Sequence, residues 1–123
     1  MKINILLSFL GGQRQRAALL RTYMFETDVI LLDEPFSSLD AITKSNMQKW
    51  YLNLINTHKK STIFITHDID EAILLSNRIY VMSGPPGHII ADIPITNRKN
   101  EDFIFSKEFM DYKRELTAKI SEL

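Results

Sequence analysis

Val29-Ile30-Leu31-Leu32-Asp33-Glu34-Pro35 decides the reading of this chain: four apolar residues run into two adjacent carboxylates and then a proline. Such a run reads as a buried strand that ends at its acids. Successive strand residues face opposite sides, so Asp33 and Glu34 are aimed apart for as long as the strand continues. Where the strand gives way to a loop, both can reach one crevice. In nucleotide hydrolysis one carboxylate holds Mg²⁺, usually through water, while a neighbour polarises the attacking water. The alternative is a pair of solvated acids at a strand end, a common arrangement.

The neighbouring segments narrow the choice. Upstream, Leu10-Gly11-Gly12-Gln13-Arg14-Gln15-Arg16 leads into a helical run; downstream stand Ser37-Ser38-Leu39-Asp40 and, after a second apolar strand, Thr66-His67-Asp68. In this order the pieces resemble the signature, Walker B, D-loop and switch histidine of an ABC transporter nucleotide-binding (ATPase) subunit, over most of residues 11–71. Asp33 to Ala41 and the run Met82-Ser83-Gly84-Pro85-Pro86-Gly87 look most like the ATPases of nitrate, sulfonate and taurine importers.

The resemblance implies roles residue by residue. Asp33 holds Mg²⁺, Glu34 is the general base, and His67 contacts the γ-phosphate and orients water. Gly11, Gly12 and Gln13 belong to a signature loop that reaches ATP held by a second ATPase subunit, and Asp40 couples the two sites of that dimer. It implies ATP and Mg²⁺ as ligands, and membrane-spanning permease subunits and a solute-binding protein as partners. The place is then cytoplasmic, peripheral on the inner face of the membrane. The signature departs from L-S-G-G-Q: Leu10 stands where serine is expected, and Ser8 lies two residues early.

A phosphate-binding P-loop needs G-x-x-x-x-G-K-[ST]. The only glycines are Gly11, Gly12, Gly84 and Gly87, and neither Lys44-Ser45 nor Lys60-Ser61 follows a glycine stretch. The likeness therefore covers the C-terminal half of such a domain, with residues 1–9 matching nothing. It implies an ATPase parent, while the 123 residues lack the P-loop and are expected to be inactive alone and to bind MgATP weakly or not at all. A second reading is a non-catalytic product that acts at most as an interaction module on a complete ATPase subunit. An unrelated metal hydrolase using Asp33, Glu34 and His67 lacks further ligands at suitable spacing.

Composition agrees with one ordinary globular unit: 45% hydrophobic, 24% charged, with 15 basic and 15 acidic residues. That balance gives no electrostatic footprint for nucleic acid. With no cysteine, disulfides and thiolate metal sites are excluded. The apolar run in residues 1–10 is too short for a signal peptide, and no stretch approaches the ~20 apolar residues of a membrane helix.

The expected fold is α/β: a partial P-loop NTPase domain with a parallel sheet, flanking helices and a C-terminal helix. A helix over residues 13–25 would put Ala17, Leu20 and Met24 on one face and Arg14 and Arg21 on another. Asp40 can cap a helix over 41–57, with Met47, Trp50, Tyr51, Leu54 and Ile55 as its core stripe. Strand 61–66, a helix over 69–76 opened by Asp68 and Glu71, and a hairpin of strands 78–82 and 88–95 come next. Residues 97–100 read as a linker before a tail helix, 106–123, striped by Phe109, Tyr112, Leu116, Ile120 and Leu123. The resemblance further implies that a P-loop strand lies between strands 61–66 and 78–82, so its loss should expose Ile63, Ile65, Ile79 and Val81 and leave the two strands poorly packed.

Overall fold

The computed structural model describes residues 10–24, 28–58, 60–96 and 101–122. The fold is α/β: α1 (Leu10–Met24), β1 (Val29–Asp33), α2 (Ala41–His58), β2 (Ser61–Ile65), α3 (Ile69–Leu75), β3 (Arg78–Ser83), β4 (His88–Pro94), a 3-10 helix (Glu101–Phe105) and α4 (Lys107–Ser121). The chain divides into two compact units, Met1–Ile65 and Thr66–Leu123. Residues 1–9, Phe25, the linker 97–100 and Leu123 lie outside the described residues.

In the first unit β1 and β2 pair in parallel, with Leu31 opposite Ile63 and Asp33 opposite Ile65. Burial alternates along β1: Ile30 and Leu32 are buried, whereas Val29, Leu31 and Asp33 are exposed. The unit's core is built on rings. Phe36 lies 6.0 Å from Tyr51 and 5.9 Å from Phe64, and Tyr51 lies 5.5 Å from Phe64, all tilted or edge-on as aromatic quadrupoles prefer. Asp40 caps α2 as expected, its carboxylate accepting the Thr43 N–H at 3.3 Å. Of the expected α2 stripe, Met47, Tyr51 and Leu54 are buried, while Trp50 is only half-buried, with the Arg16 guanidinium 5.8 Å from its ring.

The expected face of α1 is corrected. Leu19 and Tyr23 are the buried pair, and Leu20 and Met24 are exposed. The choice comes from Tyr23, whose hydroxyl lies 2.9 Å from Thr62 Oγ1 on β2 and donates to the Tyr51 hydroxyl at 3.4 Å. A tyrosine with its polar end satisfied buries far more surface than Met24 could there. Lys60 then donates to the Tyr23 carbonyl at 2.7 Å, one of the carbonyls the end of a helix leaves unpaired.

In the second unit β3 and β4 form the expected antiparallel hairpin, with a register shift between Val81 and Met82. A Cβ at Gly84 would come within 2.8 Å of the Gly87 backbone, so the turn admits only glycine there. Ile73, Ile79, Val81, Ile93, Ile95, Phe103, Phe109 and Leu116 make one buried cluster. This overturns half of the exposure expectation. Ile63 and Ile65 are exposed, but Ile79 and Val81 are buried, because β3 turns that face to Ile93, Phe103 and α4. β2 and β3 belong to separate two-stranded sheets. The stripe of α4 is kept at Phe109 and Leu116, whereas Ile120 is exposed. The 3-10 helix before it was not expected.

Ser106 joins the two helical pieces: its side chain accepts the Phe109 N–H at 3.1 Å and donates to the Phe103 carbonyl at 2.6 Å. Ser106→Ala is expected to lower the stability of the second unit by about 1 kcal/mol. In urea the midpoint should fall with the m-value unchanged.

Candidate functional site

The two acids stand at the C-terminal end of β1, the end at which open α/β sheets present ligands. Asp33 is the last strand residue and is exposed; Glu34 comes directly after it and is half-buried. The Glu34 N–H donates to the Ile65 carbonyl at 2.8 Å, which carries the parallel ladder one residue past β1. Among the described residues Glu34 alone, glycines aside, has positive φ, at 50°. That region costs a residue with a Cβ about 1–2 kcal/mol. The backbone beyond holds it in place: the Glu34 carbonyl accepts the Ser37 hydroxyl at 3.1 Å and the Ser37 N–H at 3.4 Å, and the Phe36 carbonyl accepts the Leu39 N–H at 3.2 Å. Phe36, 0% exposed, anchors the turn between them. Burying such a ring stabilises by roughly 1.5–3 kcal/mol, enough to offset the strain.

Asp40 ends this loop as the α2 cap. Hydrogen bonds from the Thr43 side chain and backbone hold its carboxyl below the ordinary carboxylate value. Gly11, Gly12 and Gln13 were expected as a loop and the start of a helix; the structure places all three in the first turn of α1, which opens at Leu10. N–H groups of a first turn have no intrahelical acceptor, so an anion can still bind there by the same physics. His67, exposed, lies two residues beyond Ile65 in the sequence and belongs to the second unit. The Thr66 hydroxyl beside it accepts the Asp68 N–H at 3.0 Å, and Asp68 caps α3 through the Glu71 N–H at 3.1 Å.

Asp33, Glu34 and Asp40 thus come from one loop-bearing strand end, while His67 comes from the other unit. No group of three or more His, Asp or Glu able to hold a metal forms among the described residues. One or two carboxylates at a strand end suit Mg²⁺, which keeps several waters and completes its shell with substrate phosphates. The residues therefore fit that ion. Sequence reasoning missed Ser37 and the backbone of Glu34. A partial signal existed in Pro35, which steers the residue before it out of the right-handed helical region.

No protein-family profile matches the chain. It is 53% identical over 79 residues to the aliphatic sulfonates import ATP-binding protein SsuB of Bacillus cereus, covering 64% of this chain and 32% of that protein. It is 41% identical over 85 residues to the formylaminopyrimidine import ATP-binding protein ThiZ of Halalkalibacterium halodurans, covering 69% of this chain and 34% of the relative. The chain is related to ABC importer ATP-binding subunits. It spans about a third of the length of the curated relatives it matches. No helix among the described residues is long and apolar enough to cross a membrane.

Because the Asp40 carboxyl is held low in the folded chain, its contribution to stability is complete above the ordinary value of 3.8 and is lost as pH falls through the lowered value. Asp40→Asn keeps a capping oxygen without the titration. The advantage of the native chain over this variant, read as a difference in denaturation midpoint, should shrink steadily below about pH 4.

Proposed function

We propose that this chain supplies the Walker B, D-loop and switch-histidine portion of an ATPase subunit that drives an ABC-type importer. The observation that carries the reading is the pair Asp33 and Glu34 at the C-terminal end of a parallel strand, within a segment related to named import ATP-binding proteins. Asp33 would hold Mg²⁺, which when bound neutralises charge on the β- and γ-phosphate oxygens. Glu34 takes the proton of the attacking water as general base, and His67 hydrogen-bonds the γ-phosphate and keeps that water in line. Gly11, Gly12 and Gln13 present the first turn of α1 to ATP held by a second ATPase subunit. Asp40 ties the two sites of the pair together. Permease subunits and a solute-binding protein complete the assembly, with this subunit on the cytoplasmic face of the membrane.

The lack of a P-loop in these 123 residues favours a second reading for the chain acting by itself, an interaction module on a complete ATPase subunit. Phosphate affinity in such a fold rests on P-loop N–H groups and lysine. Calorimetric titration of the isolated chain with MgATP should therefore show binding weaker than micromolar; micromolar affinity would refute the assignment of phosphate binding to the missing motif. Fused behind the P-loop-bearing portion of an SsuB-type relative, with serine at position 10, the chain should hydrolyse ATP. Glu34→Gln and His67→Ala should each cut turnover by about a hundredfold or more while ATP binding persists. A fusion that folds, dimerises and binds ATP yet stays inactive would sink the catalytic reading.

A further inference from the structure

Strict alternation along β1 would send residue 34 to the covered side of the sheet, with Ile30 and Leu32, and away from Asp33. The left-handed backbone at Glu34, φ 50°, ends that alternation one residue after Asp33. A glutamate does not take this conformation unaided, and strain of this kind persists only where the surroundings over-determine it. Three groups do so here. Ile65 fixes the residue on its amide side, accepting the Glu34 N–H at 2.8 Å. Ser37 fixes it on its carbonyl side with two donors, hydroxyl at 3.1 Å and N–H at 3.4 Å. Phe36, in the ring cluster, keeps the turn between them from lifting. Of the three, Ser37 alone acts through a side-chain donor: it is exposed and adds no buried surface, whereas Ile65 acts through its backbone carbonyl and Phe36 through its buried ring.

We propose that Ser37 is a positioning residue for Glu34: its paired donors on the Glu34 carbonyl hold that residue left-handed and so set the direction in which the carboxylate leaves β1. Its meaning for catalysis rests on Glu34 being the base, as proposed above. The backbone claim does not.

The test is nuclear magnetic resonance on the whole chain without nucleotide. Positive φ brings a residue's amide and α protons close, so Glu34 should give a strong intraresidue cross-peak between them. Ser37→Ala should weaken that peak and speed exchange of the Glu34 amide roughly tenfold, with the Ile30 and Leu32 amides unchanged. Ser37→Thr, which restores the hydroxyl, should recover both. Glycine enters the left-handed region freely, so in a Glu34→Gly chain the further change Ser37→Ala should have no effect. Should Ser37→Ala unfold the unit, the same Glu34→Gly change should rescue it. A full-strength Glu34 peak in Ser37→Ala, a loss in Ser37→Thr equal to that in Ser37→Ala, or a failure of Glu34→Gly to remove the dependence on Ser37 would each overturn the proposal. In a fusion that turns ATP over, Ser37→Ala should lower kcat roughly tenfold with KM unchanged, and an unchanged kcat would overturn the positioning role. An inactive fusion with a left-handed Glu34 refutes the assignment of Glu34 as base and leaves the backbone result standing.

Discussion

The hydrogen bond from the Glu34 N–H to the Ile65 carbonyl, at 2.8 Å, sits where three requirements meet. It closes the parallel ladder of β1 on β2, it marks the last point at which the chain is still strand, and it fixes one side of a residue in a costly conformation. The ring cluster of Tyr23, Phe36, Tyr51 and Phe64 serves the same end from below, since Phe36 enters it directly from the loop that carries the acids. Core and site are therefore not separable here. A change that loosens Phe36 is felt at Glu34 within two peptide units.

The fold is legible in the sequence wherever local rules decide it. Asp40 precedes a periodic run and caps it, Ser106 does the same for α4, and the β-branched run at residues 61–65 forms a strand. The acids fall at a strand end because four apolar residues precede them and a proline comes after. Illegible features depend on partners far along the chain. Periodicity could not choose between Leu20 with Met24 and Leu19 with Tyr23, because the choice is made by Thr62 and Tyr51, some 28 to 39 residues away. Ile79 and Val81 were placed on a vacated edge because the resemblance describes a longer domain; in this chain they have Ile93 and Phe103 to pack on. The left-handed Glu34 is illegible because Pro35 only steers the residue before it away from the right-handed helical region, and glutamate has no propensity of its own for the left-handed one.

On the ABC reading, two departures weaken phosphate binding, and they differ in size. Leucine at position 10 removes one hydroxyl donor to a charged partner, a loss of about 1.5–3 kcal/mol. The N–H groups of the first turn of α1 remain, with the partial positive charge of a helix start. A P-loop contributes several backbone donors and a lysine at once, so its absence from these 123 residues outweighs the signature change. On that reading the chain carries the groups proposed to act on water and metal more fully than those that would hold the nucleotide.

The same asymmetry shows in the sheet. Parallel sheets are covered on both faces in stable α/β proteins. In the first unit one face of β1–β2 carries the ring cluster, while Val29, Leu31, Ile63 and Ile65 on the other are 45–63% exposed. Asp33 ends that open face, in line with Val29 and Leu31. Whatever packs over those four apolar side chains would reach the Asp33 carboxylate at its rim, so on the proposal that Asp33 holds Mg²⁺ the cover would bear on the metal as well. An apolar cover would exclude water from one side of Asp33 and strengthen its hold on a cation by lowering the local dielectric. Without one, Asp33 faces water and its attraction for a cation is screened. The open face thus weighs on the chemistry at Asp33 as much as on the stability of the sheet.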